Sequence, residues 1–238
     1  MSATIPYHIY PCGDHAITIE LGDKVDAAIN KKVISIFRYL TEQPITGVID
    51  IIPAYHTLTL VYDLVLLKKQ NKSSSVYEMM YEQLQKATDT VTVDYVSQSR
   101  LVKIPVCYDI SLAPDIITLA ESHQLSIDEV IRLHTAKTYR VYMIGFLPGF
   151  SYMGKVDEKI ITPRKSKPRT LVPAGSVGIA GEQTGIYPFD SPGGWQLIGQ
   201  TPVIMFDTKK ETPCYVQPGD EVQFYSITLY EFEKLKQA

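Results

Sequence analysis

The sequence predicts an α+β domain over residues 1–97, followed by a mainly β barrel domain over residues 98–238. Three observations carry this. The first hundred residues read as apolar runs in the order ββαββαβ, which suits helices laid on one face of an antiparallel sheet. After two helical patterns, the second half breaks into many short apolar runs between Gly/Pro turns, as closed barrels and sandwiches do. A short polar joint, Ser97 to Arg100, separates the two patterns.

In the first half, Tyr7–Tyr10 and Ala16–Leu21 read as strands around the turn Pro11-Cys12-Gly13-Asp14. Ile17, Ile19 and Leu21 share one face of the second. Ile29, Val33, Ile36, Phe37 and Leu40 form a helical stripe that ends at Pro44 and Gly47. Val48–Ile52 and Thr57–Tyr62 read as strands, and Lys68–Ser75 as a polar loop. Val76, Met80, Leu84 and Ala87 mark a second helix, and Val91, Val93 and Tyr95 a last strand.

In the second half, Leu101–Tyr108 reads as a strand and Asp115–Ser122 as a helix. Ser126 and Glu129 have capping-box spacing and open a helix ending near His134. Tyr139–Ile144 is a strand leading into the stretch Gly145–Pro202, which holds most of the chain's fourteen glycines. That stretch keeps apolar runs, unlike a disordered tract, and reads as short strands around a polar pocket. Val203–Phe206, Pro213–Val216 and Val222–Ile227 complete the β pattern, and Leu229–Ala238 reads as a short helix.

Composition is ordinary for a globular protein of 238 residues, 45% hydrophobic and 21% charged. A net charge of −3 gives no reason to expect nucleic-acid or membrane binding. Cys12, Cys107 and Cys214 are far apart and odd in number, as expected of separate reduced thiols. The N-terminus lacks the pattern of a signal peptide, and no apolar run approaches the roughly 20 residues of a membrane span. The expectation is a soluble, cytoplasmic chain. Phosphate-loop, nucleophile-elbow and zinc-helix motifs are absent, and no metal ligands are expected from spacing.

The candidate site residues lie mainly in the central stretch. Arg164 and Arg169, each preceded by proline, are candidate catalytic cations able to clamp a carboxylate or phosphate; the alternative is a solvated basic loop. Ser176, the third catalytic candidate, lies in Pro173-Ala174-Gly175-Ser176, where exposed backbone N–H groups would make an anion nest and the hydroxyl would contact a phosphate or orient a substrate amide; the alternative is a tight turn into the buried strand Val177–Ala180. Gln183, Tyr187 and Trp195 are polar-tipped candidates for substrate binding, Gln183 matching an amide or lactam edge; core packing is the alternative for Trp195. His134 ends a helix, where the dipole favours its cationic form, and is a further substrate-binding candidate.

The segments GFLPGFSYMG, PRKSKPRTLVPAGSVGIAG, QTGIYP, SPGGWQLIGQTP and PGDEVQF resemble the allophanate hydrolase subunit 1 family. That family includes the inhibitor of sporulation kinase A and the B subunit of bacterial ATP-dependent 5-oxoprolinase, and is similar to half of the carboxyltransferase domain of urea carboxylase. The likeness is dense from Leu101 to Ile227. It departs at DISLAPDI after Tyr108, which lacks the paired glycines of that position, so a pocket edge differs there.

The resemblance implies a cyclophilin-like barrel for residues 98–238. It implies a subunit that opens 5-oxoproline to glutamate with ATP, handled as its magnesium complex, together with companion A and C subunits. The alternative it implies is a regulatory binding protein that inhibits a sensor histidine kinase through protein contacts. A carboxyltransferase half acting on a urea-like substrate would need a biotin carrier, which this chain lacks.

Overall fold

The computed structural model describes residues 5–70, 75–92, 95 and 99–237. The chain divides into two compact units, Met1–Gln98 and Ser99–Ala238.

In the first unit, β1 (His8–Pro11), β2 (Ala16–Glu20), β3 (Val48–Pro53) and β4 (Thr57–Tyr62) form an antiparallel sheet in the order β1-β2-β4-β3. α1 (Ala27–Glu42) starts where Asp26 accepts the N–H groups of Ala28 and Ile29 at 2.8 and 3.0 Å, satisfying two orphan donors of the first turn. Its stripe buries Val33, Ile36 and Leu40 against Ile17, Ile19, Leu58 and Leu60 of the sheet, with Ile29 and Phe37 packed at the margin. α3 (Val76–Thr90) adds Met80 and Leu84 to the same core.

Two expectations change here. A further helix, α2 (Leu64–Gln70), occupies the start of the expected loop. Its run Leu64-Val65-Leu66-Leu67 is apolar on all sides and buries only Leu67, so it has no readable stripe. Val91 is not in a strand, since its N–H closes α3 on the Ala87 carbonyl at 3.0 Å. Val93, residues 71–74 of the expected loop and Ser97 of the joint lie outside the described residues.

In the second unit, seven strands close into a barrel: β5 (Leu101–Cys107), β6 (Thr138–Ile144), β7 (Ser151–Gly154), β9 (Ser176–Ala180), β10 (Gln183–Ile186), β12 (Gln196–Gln200) and β13 (Glu221–Ile227). The order around it is β10-β7-β6-β13-β5-β12-β9, with β5 and β13 parallel and the other pairs antiparallel. Closure removes the free edges that an open sheet would present. The short strands β8 (Arg169–Val172) and β11 (Ser191–Gly193) pair beside the barrel.

α4 (Ile116–Ser122) and α5 (Ile127–Thr135) follow β5, and both arms of the Ser126–Glu129 capping box are made. α6 (Leu229–Lys236) ends the described chain. The core joins Ile104, Val106, Tyr139, Val141, Ile179 and Phe224 of the barrel to Ile116, Leu119 and Val130 of the helices.

Val203–Phe206 and Pro213–Val216, expected as strands, form a loop with a single bridge, Phe206 to Cys214. The loop folds back on itself, Asp207 N–H donating to Pro213 O and Tyr215 N–H to Met205 O, both at 2.9 Å. Met205 supplies the apolar anchor, 1% exposed in the barrel core. Among the described residues, no helix is long and apolar enough to cross a membrane.

Candidate functional site

The basic loop ahead of β8 is pinned to the segment ahead of β12. Lys165 N–H donates to Gly194 O at 2.8 Å, and Gln196 Nε2 donates to Pro163 O at 3.0 Å. In the side sheet, Arg169 lies opposite Gly193. These ties bring Arg164, Arg169, Tyr187 and Trp195 into one neighbourhood.

Its floor is aromatic. Trp195, 3% exposed, meets Phe150 edge-on at 5.3 Å and Tyr152 at 6.0 Å, and Phe150 meets Tyr187 at 5.2 Å. The Arg164 guanidinium stands 5.8 Å from the centre of the Trp195 ring, where the ring's negative face attracts it. Arg164 is exposed and makes no ion pair among the described residues.

Tyr187 is buried under the turn before Trp195, and a Cβ on Gly193 would fall 2.4 Å from its hydroxyl oxygen. Burial pushes the Tyr187 hydroxyl up, against a hydrogen bond from the Trp195 backbone and the nearby charges of Arg164 and Arg169. Burial likewise raises Tyr152, opposed by Arg164.

One side chain in this neighbourhood went unread in the sequence. Asp115, just before α4, looks like a helix cap, yet its carboxylate makes no capping bond. It turns instead to the basic loop. Its Oδ1 accepts Lys165 Nζ at 2.8 Å and Arg169 Nη2 at 2.6 Å, and its Oδ2 accepts the Leu197 N–H at 2.7 Å. Burial alone would raise its pKa, but these donors together hold the carboxyl below its ordinary value. Arg169 Nη1 is buried with no partner among the described residues, which leaves a donor for a ligand oxygen. Asp115 lies in the segment where the sequence departs from its family resemblance, and no spacing rule ties it to a loop fifty residues on.

The other candidates lie differently. The expected nest around Ser176 is not available to a ligand. Ala174 N–H donates to Asp190, Gly175 N–H to Tyr187 O and Ser176 N–H to Pro173 O. Gly175, at φ +79°, makes a tight turn, and Ser176 enters β9 with 3% exposure. Gln183 opens β10 opposite Ala180 and Gly154.

His134 is a core residue, and the expected cation gives way to a neutral ring. It is fully buried, stacked on Phe224 at 4.7 Å, with Tyr108 Oη at 2.7 Å from Nδ1 and Thr184 Oγ1 at 3.0 Å from Nε2. Thr184 gives its own proton to Gly178 O, so it accepts from His134 Nε2–H, and Tyr108 donates to Nδ1. Burial pulls its pKa down to about 3. Desolvation outweighs the helix dipole here.

Cavities of about 470 Å³ in the first unit and about 430 Å³ in the second are not lined by Arg164, Arg169 or Trp195. The Arg164 face is marked by charge and by the unpartnered Arg169 donor.

The family model for the carboxyltransferase domain, subdomain C and D, matches residues 7–216. The chain belongs to that family. It is 41% identical to the B subunit of 5-oxoprolinase from Bacillus subtilis, over 98% of this chain and 98% of the relative. Identity to the corresponding 5-oxoprolinase chain of Escherichia coli O157:H7 is 37%, over 90% and 94% of the two. Among solved structures, TTHA0988 superposes with a TM-score of 0.76 at 34% identity, covering 90% of this chain and 40% of that longer one. The family match spans the whole Arg164–Trp195 neighbourhood and Asp115.

Proposed function

We propose that this chain is the B-type subunit of an ATP-dependent 5-oxoprolinase, acting with companion A and C subunits to open 5-oxoproline to glutamate. The observation that carries this reading is the near-full-length likeness to the B subunits of two 5-oxoprolinases. The match to only 40% of a longer chain supports a companion, since the same fold there continues into further polypeptide. We read the closed barrel as cyclophilin-like, a likeness of architecture that carries no isomerase activity with it.

The chemistry explains why a cationic face suits such a protein. A lactam carbonyl is a poor electrophile because its nitrogen lone pair is delocalised. Transfer of the ATP γ-phosphoryl group to the carbonyl oxygen removes that protection. Water then adds at the carbon, and the ring C–N bond breaks as the nitrogen takes a proton. A second water releases phosphate from the acyl phosphate, leaving glutamate, ADP and inorganic phosphate. Both the 5-oxoproline carboxylate and the moving phosphoryl group are anionic, and phosphoryl transfer is catalysed mainly by positioning and charge.

Arg164 is the residue assigned to the substrate carboxylate, since it is exposed, unpaired and held over Trp195. Arg169 offers its Nη1 to the same anion or to the phosphoryl oxygens. Asp115 is already engaged by three donors, and no group of three or more His, Cys, Asp or Glu side chains lies together among the described residues. The Asp115 carboxylate is therefore not offered to a metal ion, and the magnesium that accompanies ATP is assigned to the nucleotide's phosphates.

The test is reconstitution. This chain and its companion A and C subunits are mixed in all combinations, and glutamate and ADP are measured with 5-oxoproline present or absent. Formation of both products only in the full mixture is the expected result. A mixture of the two companions that is equally active without this chain would overturn the assignment.

A further inference from the structure

We infer that Asp115 is a positioning residue for the anion site, holding the basic loop in the one arrangement that leaves Arg164 and Arg169 Nη1 free for a ligand; this rests on the function proposed above. The loop from Arg164 to Arg169 carries four cations, Arg164, Lys165, Lys167 and Arg169. Left alone, such charges repel and the loop splays into water. Asp115 gathers two of them on a single oxygen, Lys165 Nζ at 2.8 Å and Arg169 Nη2 at 2.6 Å.

That oxygen is itself fixed. Asp115 exchanges two hydrogen bonds with Leu197, N–H to O at 3.0 Å and Oδ2 from N–H at 2.7 Å. Leu197 is two residues beyond Trp195, so the carboxylate is bonded to the short segment that carries the ring beneath Arg164. The carboxylate therefore sets the basic loop against the aromatic floor. It also engages only one edge of Arg169, leaving the second nitrogen buried and unpartnered. Asp115, Lys165, Arg164 and Arg169 together keep a net positive charge.

Charge and geometry make opposite forecasts for Asp115→Asn. Removing a negative charge strengthens the attraction for an anion, whereas losing the anchor scatters the donors that hold it. In the three-subunit complex, positioning predicts a KM for 5-oxoproline raised about tenfold, with kcat changed much less. The double variant Asp115→Asn/Lys165→Met should lose little more than Asp115→Asn alone, because the two groups act as a unit. A KM unchanged or lowered in an assembled complex would overturn the proposal.

A second measurement uses the full chain without reference to activity. The Arg169 guanidinium is followed by ¹⁵N NMR in the wild type and in Asp115→Asn. An ordered side chain that becomes mobile in the variant supports positioning, and equal order in both overturns it. If the wild-type complex does not consume 5-oxoproline, the functional reading fails by itself, and the guanidinium spectrum still decides the role of Asp115.

Discussion

Asp115 and Leu197 are bonded to each other twice, the Asp115 N–H giving to Leu197 O at 3.0 Å and the Leu197 N–H to Asp115 Oδ2 at 2.7 Å. Through this double link, a residue just before a helix is tied to the barrel strand β12. The same carboxylate takes Lys165 and Arg169 from the basic loop. A solvated basic loop, the alternative reading of PRKSKPR, would show no such ties; Arg164 takes no part in them, being exposed and in contact with the Trp195 ring.

Arg164→Ala should therefore separate activity from stability. Its contact with the Trp195 ring is exposed and worth about 0.5–1 kcal/mol to the fold. Loss of a charge-assisted bond to the substrate carboxylate is worth about 1.5–3 kcal/mol, or roughly tenfold to a hundredfold in kcat/KM. The check is steady-state kinetics of the assembled complex beside a thermal melt. Equal kcat/KM in wild type and variant would remove Arg164 from the site.

Gly193→Ala probes the floor. The added methyl would lie 2.4 Å from the Tyr187 hydroxyl oxygen and 2.7 Å from two ring carbons, against a side chain that is 1% exposed. Tyr187 has no room to yield, so the variant should lose about 1–3 kcal/mol in denaturant unfolding. A neutral result would mean that the side sheet moves more freely than its pairing implies.

His134 gives the chain a pH dependence with a definite sign. The buried ring stays neutral down to about pH 3, whereas an unfolded histidine takes its proton near the ordinary 6.5. Its contribution is complete above about 6.5 and declines as pH falls through that window, by about 1.4 kcal/mol per pH unit. Tyr108, Tyr139, Thr184 and Phe224 surround the ring and supply no carboxylate to offset this. His134→Gln should flatten the slope of stability between pH 6.5 and 4.5, whatever it does to the absolute value. Parallel slopes in the two proteins would contradict the neutral assignment.

Lys32 makes a prediction for the first unit. Its ammonium donates to Thr88 O at 2.7 Å and to Val91 O, closing the C-terminus of α3 from α1. Burial lowers its pKa, opposed by Asp89. Lys32→Met keeps the stem but leaves those carbonyls unpaired, and should cost about 1–3 kcal/mol in unfolding experiments.

What the sequence revealed follows from what is local. The α1 stripe of Val33, Ile36 and Leu40 and the Ser126–Glu129 box rest on neighbours three or four residues apart, and both formed as read. The buried run Val177–Ala180 was legible because a turn and a short apolar segment are adjacent in the chain. Barrel closure was legible only as a class. The parallel pairing of β5 with β13 joins Leu101 to Glu221, and nothing in either strand names the other. Asp115 was hidden for the same reason, since an aspartate before a helix already has an ordinary explanation. His134 was misread because its helix end is local, while the core that neutralises it is assembled from Tyr108 just past β5, Thr184 of β10 and Phe224 of β13.

The most direct test of the account uses the chain's single tryptophan. Trp195 lies beneath Arg164, so labelling this chain alone with 5-fluorotryptophan gives one ¹⁹F signal at the site, even when unlabelled companion subunits are bound. Titration of the complex with 5-oxoproline should shift that signal saturably, and Arg164→Ala should abolish the shift while leaving the complex assembled. A signal that stays fixed while the same sample turns 5-oxoproline into glutamate would contradict the account, because the substrate would then be bound elsewhere.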